Sequence, residues 1–231
     1  MTVFVNSCTA GLRAFLCQAM TYSRWASSPS MGKSSTLSEK QTLFRFSPKR
    51  AMPLPAPTDS ATASAHSCCR KMLEAFEKER AERLLLLGDI LYHGPRNDLP
   101  EEYDPKAVIA LLNGLADAPL CVRGNCDTEV DQMVLTFPVM ADYALIETDG
   151  HTIFATHGHL YNPMQLPPLK QGDILLCGHT HVPAWEDKGR YLYYNPGSVS
   201  IPKEGSERGY MMLEDGMFIW KKLDGETYHR A

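Results

Sequence analysis

The sequence predicts an α/β fold in which mixed sheets are flanked by helices. Between residues 71 and 127, segments with helical periodicity alternate with short apolar strands that end in Gly followed by a polar residue. From residue 143 onward, the pattern changes to strands separated by Gly-containing turns, which is typical of antiparallel hairpins. At 231 residues, 44% of them hydrophobic, the chain is long enough to bury a sizeable core.

Two helix–strand units make up the first half of this pattern. KMLEAFEKERAERL (71–84) has apolar residues at helical spacing, and LLLLGDI is too short for a helix, which predicts a strand buried on both faces. DPKAVIALLNGLAD (104–117) predicts a second helix, with Asp104 as its N-cap and Pro105 in its first position. APLCVRGNCD predicts another buried strand.

The second half of the pattern predicts antiparallel hairpins. YALIETDGHTIFATHGH contains two strands around Asp149-Gly150. Similar turn signals occur at Lys188-Gly189 and at Asp215-Gly216. We therefore expect mixed sheets with the helices on the outside.

Residues 1–58 differ from the rest of the chain. They carry seven Lys and Arg against one acidic residue, are rich in Ser and Thr, and show no sustained periodicity. We interpret them as a disordered or spurious extension and place the domain at residues 59–231. An organelle transit peptide is the alternative, since such peptides are also basic, Ser-rich and poor in acids.

The composition of residues 59–231 excludes several classes of protein. Sixteen Lys and Arg against 26 Asp and Glu give this part a net charge of −10, which argues against a nucleic-acid-coating protein. No apolar stretch is long enough for a membrane span. The seven cysteines lack framework or CxxC spacing, which favours free thiols and a reducing, cytoplasmic location.

Four polar motifs follow apolar strands along the chain. They are GD at 88–89, GNCD at 124–127, HGH at 157–159 and GHTH at 178–181. Each alone is compatible with an ordinary turn, but ligand sites of α/β sheets form beyond the carboxyl ends of strands. Asp, Asn and His without paired thiolates suit Mn, Fe, Ni or Zn in a hydrolytic site, where two ions clamp the reacting oxygens.

These motifs, in this order, resemble those of the calcineurin-like metallophosphoesterase superfamily. More narrowly, GDILYHGPRNDLP, VRGNCDTEVDQM, THGHLYNP and YYNPGSVSIPK are similar to segments of the small bacterial YfcE-type phosphodiesterases. The resemblance runs from about Met72 to the C-terminus. It implies a four-layer α-β-β-α sandwich of mixed sheets, and hydrolysis of phosphodiester bonds by a metal-activated hydroxide at a dinuclear site.

The resemblance also implies a set of metal ligands with a direct part in catalysis. Asp89 would bridge the two ions, Asn125, His157 and His179 would complete one site, and His181 would serve the other. The cofactors would be two divalent transition metal ions. Manganese is the leading candidate, and Ni, Fe and Zn stay open because softness and geometry allow them.

Further roles are implied around the metals. Asp127 would orient a neighbouring group, and Cys126 stands where many relatives have His, a candidate general acid for the leaving group. A thiol is a poorer proton donor in that role, which favours activated leaving groups or a different acid. His159 would contribute to catalysis, and Asn97 and Arg123 would line the phosphate pocket. The loop NPGSVSIP is expected to pack beneath the metal-binding strand ends.

One element of the family is missing from its expected place. An N-terminal strand ending in Asp-x-His should fall near residues 60–64, but Ala61 and Ala63 occupy the ligand positions and no apolar strand precedes them. We expect the first strand of the fold to be corrupted or missing. Small frame errors between Met52, the expected true start, and Met72 would explain this, with the residues before Met52 as upstream sequence.

Two classes of function follow. The leading hypothesis is a metal-dependent phosphodiesterase acting on a small phosphodiester, impaired as written because Asp-x-His is absent. The alternative is a catalytically weak or inactive interaction scaffold on the same fold. A nuclease is disfavoured by the acidic domain, no membrane partner is expected, and a homo-oligomer stays open.

Overall fold

The computed structural model describes residues 2–6, 13–18, 41–43, 65–91, 104–148 and 150–231. The helices of this part are α1 (Ala65–Lys78), α2 (Pro105–Asn113) and α3 (Glu129–Val134). Its strands are β1 (Thr2–Asn6), β2 (Arg13–Cys17), β3 (Gln41–Leu43), β4 (Arg83–Leu86), β5 (Leu120–Cys121), β6 (Tyr143–Thr148), β7 (His151–Thr156), β8 (Ile174–Leu176), β9 (Pro183–Asp187), β10 (Leu192–Pro196), β11 (Gly209–Glu214), β12 (Met217–Lys222) and β13 (Thr227–Arg230). No helix in these ranges is both long and apolar enough to cross a membrane.

The described strands form two mixed sheets. The seven-stranded sheet has the order β3-β1-β6-β7-β8-β10-β9, in which β7, β8 and β10 run parallel. The six-stranded sheet has the order β13-β12-β11-β2-β4-β5, in which β2, β4 and β5 run parallel and the remaining pairs are antiparallel. The predicted α/β class with mixed sheets is confirmed.

Alternation along the strands divides the apolar side chains between layers. Leu85 and Leu87 point into the core between the two sheets, where they meet Ala155 and Leu176. Leu84 and Leu86 point the other way, into the core beneath α1 and α2. LLLL is therefore buried on both faces, as its uninterrupted apolar run predicts.

Among the described residues, an irregular segment packs on the outer face of the seven-stranded sheet. Phe154 and Leu175 on this face pack against Tyr161 and Leu169, which belong to the irregular segment 157–173. That segment contains Pro163, Pro167 and Pro168, and proline lacks the amide N–H that a helix interior requires. Within the described residues, a proline-rich loop thus covers the face where the sandwich was expected to have helices.

The position expected for the missing first strand is occupied by β2. It lies between β4 and β11, with Phe15 and Leu16 buried on opposite faces. β2 lies within residues 1–58, the segment that the sequence predicts to be an extension, and it nevertheless pairs inside the six-stranded sheet. The physical reason is burial: RAFLC is short, but neighbours on both sides satisfy its backbone, and Phe15 stacks on Tyr210 at a centroid distance of 4.1 Å.

The hairpins lie where the turn signals predict them. β6 pairs with β7 across Gly150, β9 with β10 across Lys188-Gly189, and β11 with β12 across Asp215-Gly216. Asp215 and Gly216 both have positive φ, of 51° and 78°, as a tight hairpin turn requires.

The helices agree with their predicted positions except at their ends. α2 begins with Asp104, whose Oδ1 accepts a hydrogen bond from the Ala107 N–H at 3.0 Å, and Pro105 is in its first position. α1 begins at Ala65, before the predicted Lys71. α3 was not predicted, because six residues are too few for helical periodicity to be recognised.

Glu79 connects the helical layer to the six-stranded sheet. Its Oε1 accepts a hydrogen bond from the Tyr210 hydroxyl at 2.8 Å and pairs with the Lys221 ammonium. Burial raises the pKa of Glu79, but the hydrogen bonds from Lys221 and Tyr210 lower it by a larger amount. The pKa of Glu79 in the folded protein is therefore below the ordinary value.

We expect Glu79→Gln to lower the free energy of unfolding by about 1–2 kcal/mol near neutral pH, since a charge-assisted bond is lost. The folded-state pKa is depressed, so this contribution is present above the unfolded pKa and disappears as the pH falls through the folded one. Urea unfolding at neutral and acidic pH measures it. The exposed Glu77→Gln is the control, and equal losses for both variants would contradict the prediction.

Candidate metal centre

The predicted site residues meet at one edge that the two sheets share. Asp89 follows β4 and Asn125 follows β5, both in the six-stranded sheet, whereas His157 follows β7 and His179 follows β8 in the seven-stranded sheet. All four strands end at this edge, so their loops converge between the sheets, as the rule for strand carboxyl ends predicts.

His157 is at the centre of the cluster. Its Nε2 lies 3.3 Å from Asp89 Oδ2, 3.1 Å from Asn125 Oδ1 and 3.0 Å from His179 Nδ1. Asp89, His157 and His179 can each place a ligand atom within 4.8 Å of the others. Since one ring nitrogen carries at most one proton, a single hydrogen bond cannot serve all three neighbours, and a shared cation can.

The tautomer of His157 suits a metal ligand. Its Nδ1 contacts the Leu87 carbonyl oxygen at 2.6 Å, which assigns the proton of the neutral ring to Nδ1 and leaves the lone pair on Nε2. The ring is fully buried, and Asp89 beside it is buried as well. An oxygen and nitrogen donor set held in this way fits a divalent transition metal ion.

Electrostatics at the cluster favour cation binding. Burial lowers the pKa of His179 and of His181, each to about 4, and the neighbouring charge of His157 adds to this, so both rings are neutral near pH 7. Burial also lowers the pKa of His157, but the Asp89 carboxylate raises it more. A metal ion therefore competes with a proton at His157, which is usual for metal ligands.

The backbone is strained at the candidate ligands. Asp89, His179 and His181 have φ angles of 58°, 62° and 63°, in the left-handed region that non-glycine residues avoid. Such conformations cost about 1–3 kcal/mol each and persist where the surroundings enforce them, commonly at functional sites.

Asp127 holds two of the converging loops together. Its Oδ2 accepts hydrogen bonds from the Asp89 and Gly124 N–H groups, each at 2.7 Å, and its Oδ1 accepts one from Ile90 N–H at 2.8 Å. The Cys126 N–H in turn donates to Asp89 Oδ1 at 2.9 Å. Asp127 thus fixes the position from which the Asp89 carboxylate reaches the cluster.

His181 lies beside the cluster. Its Nδ1 contacts the Ile201 carbonyl oxygen at 2.7 Å, and its Nε2 is buried without a hydrogen-bond partner among the described residues. Its Nε2 is not part of the group that joins Asp89, His157 and His179.

The end of β10 and the residues that follow it (195–202) support the GHTH segment by hydrogen bonds. Asn195 Nδ2 donates to the Gly178 carbonyl at 2.8 Å and to Thr180 Oγ1 at 3.0 Å, and the Trp220 indole donates to the Asn195 carbonyl at 2.8 Å. The loop was expected beneath the metal-binding ends, but the part played by Asn195 was missed. The available sequence signal was NPG at the end of a strand.

Three of the remaining predicted residues lie at the edge of the histidine cluster, and the fourth lies outside the described residues. The His159 ring is 5.2 Å from the His157 ring by centroids, and its Nδ1 is buried without a hydrogen-bond partner in the described part of the chain. Arg123 lies close enough for its charge to lower the pKa of His159. The Cys126 thiol accepts a bond from Asn125 Nδ2 at 3.3 Å. Asn97 lies outside the described residues.

A second cation near the cluster was missed by sequence reasoning. The Lys203 N–H donates to the His181 carbonyl at 3.2 Å, and the ammonium charge contributes to the lowered pKa values of His179 and His181. Burial lowers the pKa of Lys203, and the Asp89 carboxylate opposes this shift. Lys203 ends the motif YYNPGSVSIPK, which was the available sequence signal.

Comparison with known proteins shows the family of the chain. Residues 61–215 match the calcineurin-like phosphoesterase superfamily domain. Phosphodiesterase YfcE of Escherichia coli strain K12 is 49% identical over 157 residues, which cover 68% of this chain and 85% of that protein. A phosphodiesterase of Methanocaldococcus jannaschii is 26% identical over 130 residues, covering 55% and 74%.

A solved structure of this family has the same fold. The structure of YfcE, a phosphoesterase from Escherichia coli, superposes with a TM-score of 0.68 at 44% sequence identity. The alignment covers 71% of this chain and 91% of that one.

Proposed function

The chain belongs to the calcineurin-like phosphoesterase superfamily, and from this premise we propose that it hydrolyses small phosphodiesters with divalent metal ions bound between its sheets. The convergence of Asp89, Asn125, His157 and His179 is the observation that carries the proposal. These four side chains would hold one ion. His181, with Asp89 shared between the two, would hold a second.

Bound ions of this kind stabilise charge on phosphoryl oxygens and make water acidic enough to act as a nucleophile near neutral pH. The residues of the chain supply position and charge around them. Asp127 and Asn195 hold the ligand-bearing loops in place. Arg123 and Lys203 supply positive charge for the phosphate, and the neutral His159 borders the same space.

A diester with a good leaving group fits this site best. The family resemblance places Cys126 where many relatives have His, and its thiol sits beside Asn125 in a buried position. Because a thiol is a poor general acid near neutral pH, departure of the leaving group depends on its own acidity. Aryl phosphodiesters are therefore the probe substrates of choice.

The free cysteines and the net negative charge of the domain bear on its cellular location and on its substrate. All six cysteines in the described residues are free, which supports a reducing, cytoplasmic location. The acidic domain supports a small phosphodiester rather than a nucleic acid as substrate.

Hydrolysis of bis-p-nitrophenyl phosphate by the full chain tests the proposed function. After removal of metal with EDTA, we expect no activity, and we expect added Mn²⁺ to restore it with a preference for the diester over p-nitrophenyl phosphate. His157→Ala should lose Mn²⁺-dependent activity by about 100-fold or more, whereas His151→Ala, at an exposed position, should retain it.

Two results would contradict the proposal. Purified protein that binds none of Mn²⁺, Ni²⁺, Fe²⁺ and Zn²⁺ has no metal centre, and the interaction scaffold on this fold would then be the better hypothesis. Metal binding without hydrolysis of any phosphodiester would remove the enzymatic part alone.

A further inference from the structure

Gln18 presents a buried polar group at the candidate metal centre. It directly follows β2, and its side chain is fully buried. Neither Nε2 nor Oε1 has a hydrogen-bond partner among the described residues. A buried amide without partners is destabilising, so its presence calls for a ligand.

The strand neighbours place Gln18 at the edge where the metal ligands converge. β2 runs parallel to β4, and the Leu87 N–H donates to the Cys17 carbonyl at 2.9 Å, so Gln18 lies beside the chain that leads to Asp89. Ala14 and Leu16 face the core between the sheets, and the period of two continues this face to Gln18. Gln18 therefore points toward the sheet that carries His157 and His179.

Contact with the GHTH segment confirms this direction. A Cβ atom added to Gly178 would lie 2.8 Å from Gln18 Oε1, so only glycine leaves room for the amide there. The Gly178 N–H also donates to the His157 carbonyl at 2.8 Å. The Gln18 amide thus packs against Gly178, which precedes His179 and is hydrogen-bonded to His157.

We infer that the Gln18 amide oxygen is a ligand for the second metal ion, together with Asp89 and the buried Nε2 of His181. The inference rests on the proposed metal binding. Amide oxygens are suitable ligands for Mn²⁺ but carry no charge, so the second ion should bind more weakly than the first. A strand outside the matched family region would then complete the site in place of the absent Asp-x-His.

Mn²⁺ binding to the full chain tests this inference without an activity assay. Metal-free wild type, Gln18→Leu, Gln18→Glu and the exposed control Gln171→Leu are dialysed against Mn²⁺, and the bound metal is counted. We expect two ions in the wild type and in the control. Gln18→Leu should weaken the second ion by about 10-fold or more, and Gln18→Glu should tighten it by about 10-fold, with the first ion unchanged.

Thermal unfolding gives a second readout with opposite signs for the two variants. Without metal, Gln18→Leu should raise Tm, because an unpaired amide is removed, and Gln18→Glu should lower it, because a charge is buried. The rise in Tm on adding Mn²⁺ should be smaller for Gln18→Leu than for the wild type, and larger for Gln18→Glu than for the wild type. A purely structural role predicts equal gains in Tm.

The outcomes separate this inference from the proposed function. Unchanged affinity for the second ion in both Gln18 variants overturns the role of Gln18 and leaves the metal centre standing. A wild type that binds one ion, insensitive to either Gln18 variant, also overturns it. A wild type that binds neither Mn²⁺ nor Ni²⁺, Fe²⁺ or Zn²⁺ refutes the metal centre itself. If Gln18→Leu does not fold, Gln18→Glu alone decides between these results.

Discussion

Asp89→Asn should abolish Mn²⁺-dependent phosphodiester hydrolysis, lowering kcat/KM by about 1000-fold or more. Substitution of a residue that hydrogen-bonds to a metal ligand typically lowers metal affinity or activity by about 10–100-fold. The effect should be larger here, because Asp89 is proposed to be a ligand itself and to be shared by both ions. The Asn amide keeps a neutral oxygen in place of the buried carboxylate that faces His157 at 3.3 Å. The charge that balances the bound cations is lost with it.

The variant should also bind less metal. We expect both Mn²⁺ sites to weaken in equilibrium dialysis, whereas His157→Ala should affect chiefly the first site. Asp173→Asn is the matched control, because Asp173 Oδ2 accepts a bond from the Lys170 N–H at 2.7 Å in a turn away from the cluster. Asp89→Asn protein that retains its rate within about 10-fold would show that this carboxylate is not a shared ligand.

The convergence of Asp89, Asn125, His157 and His179 was predictable from the sequence. Each of the four follows an apolar strand, and strands of this fold end at a common edge, so order along the chain was sufficient to group them. The hairpins were predictable for a similar reason, since the turn at Asp215-Gly216 depends only on local backbone preferences.

The features that sequence reasoning missed depend on distant neighbours. RAFLC resembles any short apolar segment in a patternless region, and only its pairing with β4 and β11 makes it an interior strand. The Asn195 side chain and the Lys203 backbone N–H donate hydrogen bonds to residues about 15–22 positions earlier in the chain, which no local periodicity reveals. Among the described residues, the segment 157–173 packs on the outer face of the seven-stranded sheet, and its prolines oppose a helix there.

Asp127→Asn should cause a large loss of stability, although the two side chains have the same shape. Asp127 is almost completely buried and accepts three backbone hydrogen bonds, from Asp89, Ile90 and Gly124. An Asn side chain has one acceptor oxygen, so in either orientation its NH2 group faces at least one of these N–H donors. We expect a loss of about 2–4 kcal/mol in the free energy of unfolding, because buried donors lose charge-assisted partners.

Asp131→Asn is the matched control for this substitution. Asp131 lies four residues further along, is also buried, and accepts bonds from the N–H and hydroxyl of Thr128 at the start of α3. Loss of this local capping interaction should cost about 1 kcal/mol and leave Mn²⁺ affinity unchanged. Urea unfolding of the metal-free proteins compares the two variants directly.

Metal affinity distinguishes positioning by Asp127 from general stabilisation. At a temperature where wild type and both variants are folded, Asp127→Asn should weaken Mn²⁺ binding by about 10–100-fold, because Asp89 and Gly124 are no longer held to one carboxylate. If Asp127→Asn is less stable but binds Mn²⁺ as tightly as Asp131→Asn, the loops keep their positions without Asp127. The strained backbone at Asp89 would then be enforced by its other contacts, among them the bond from the Cys126 N–H to its Oδ1.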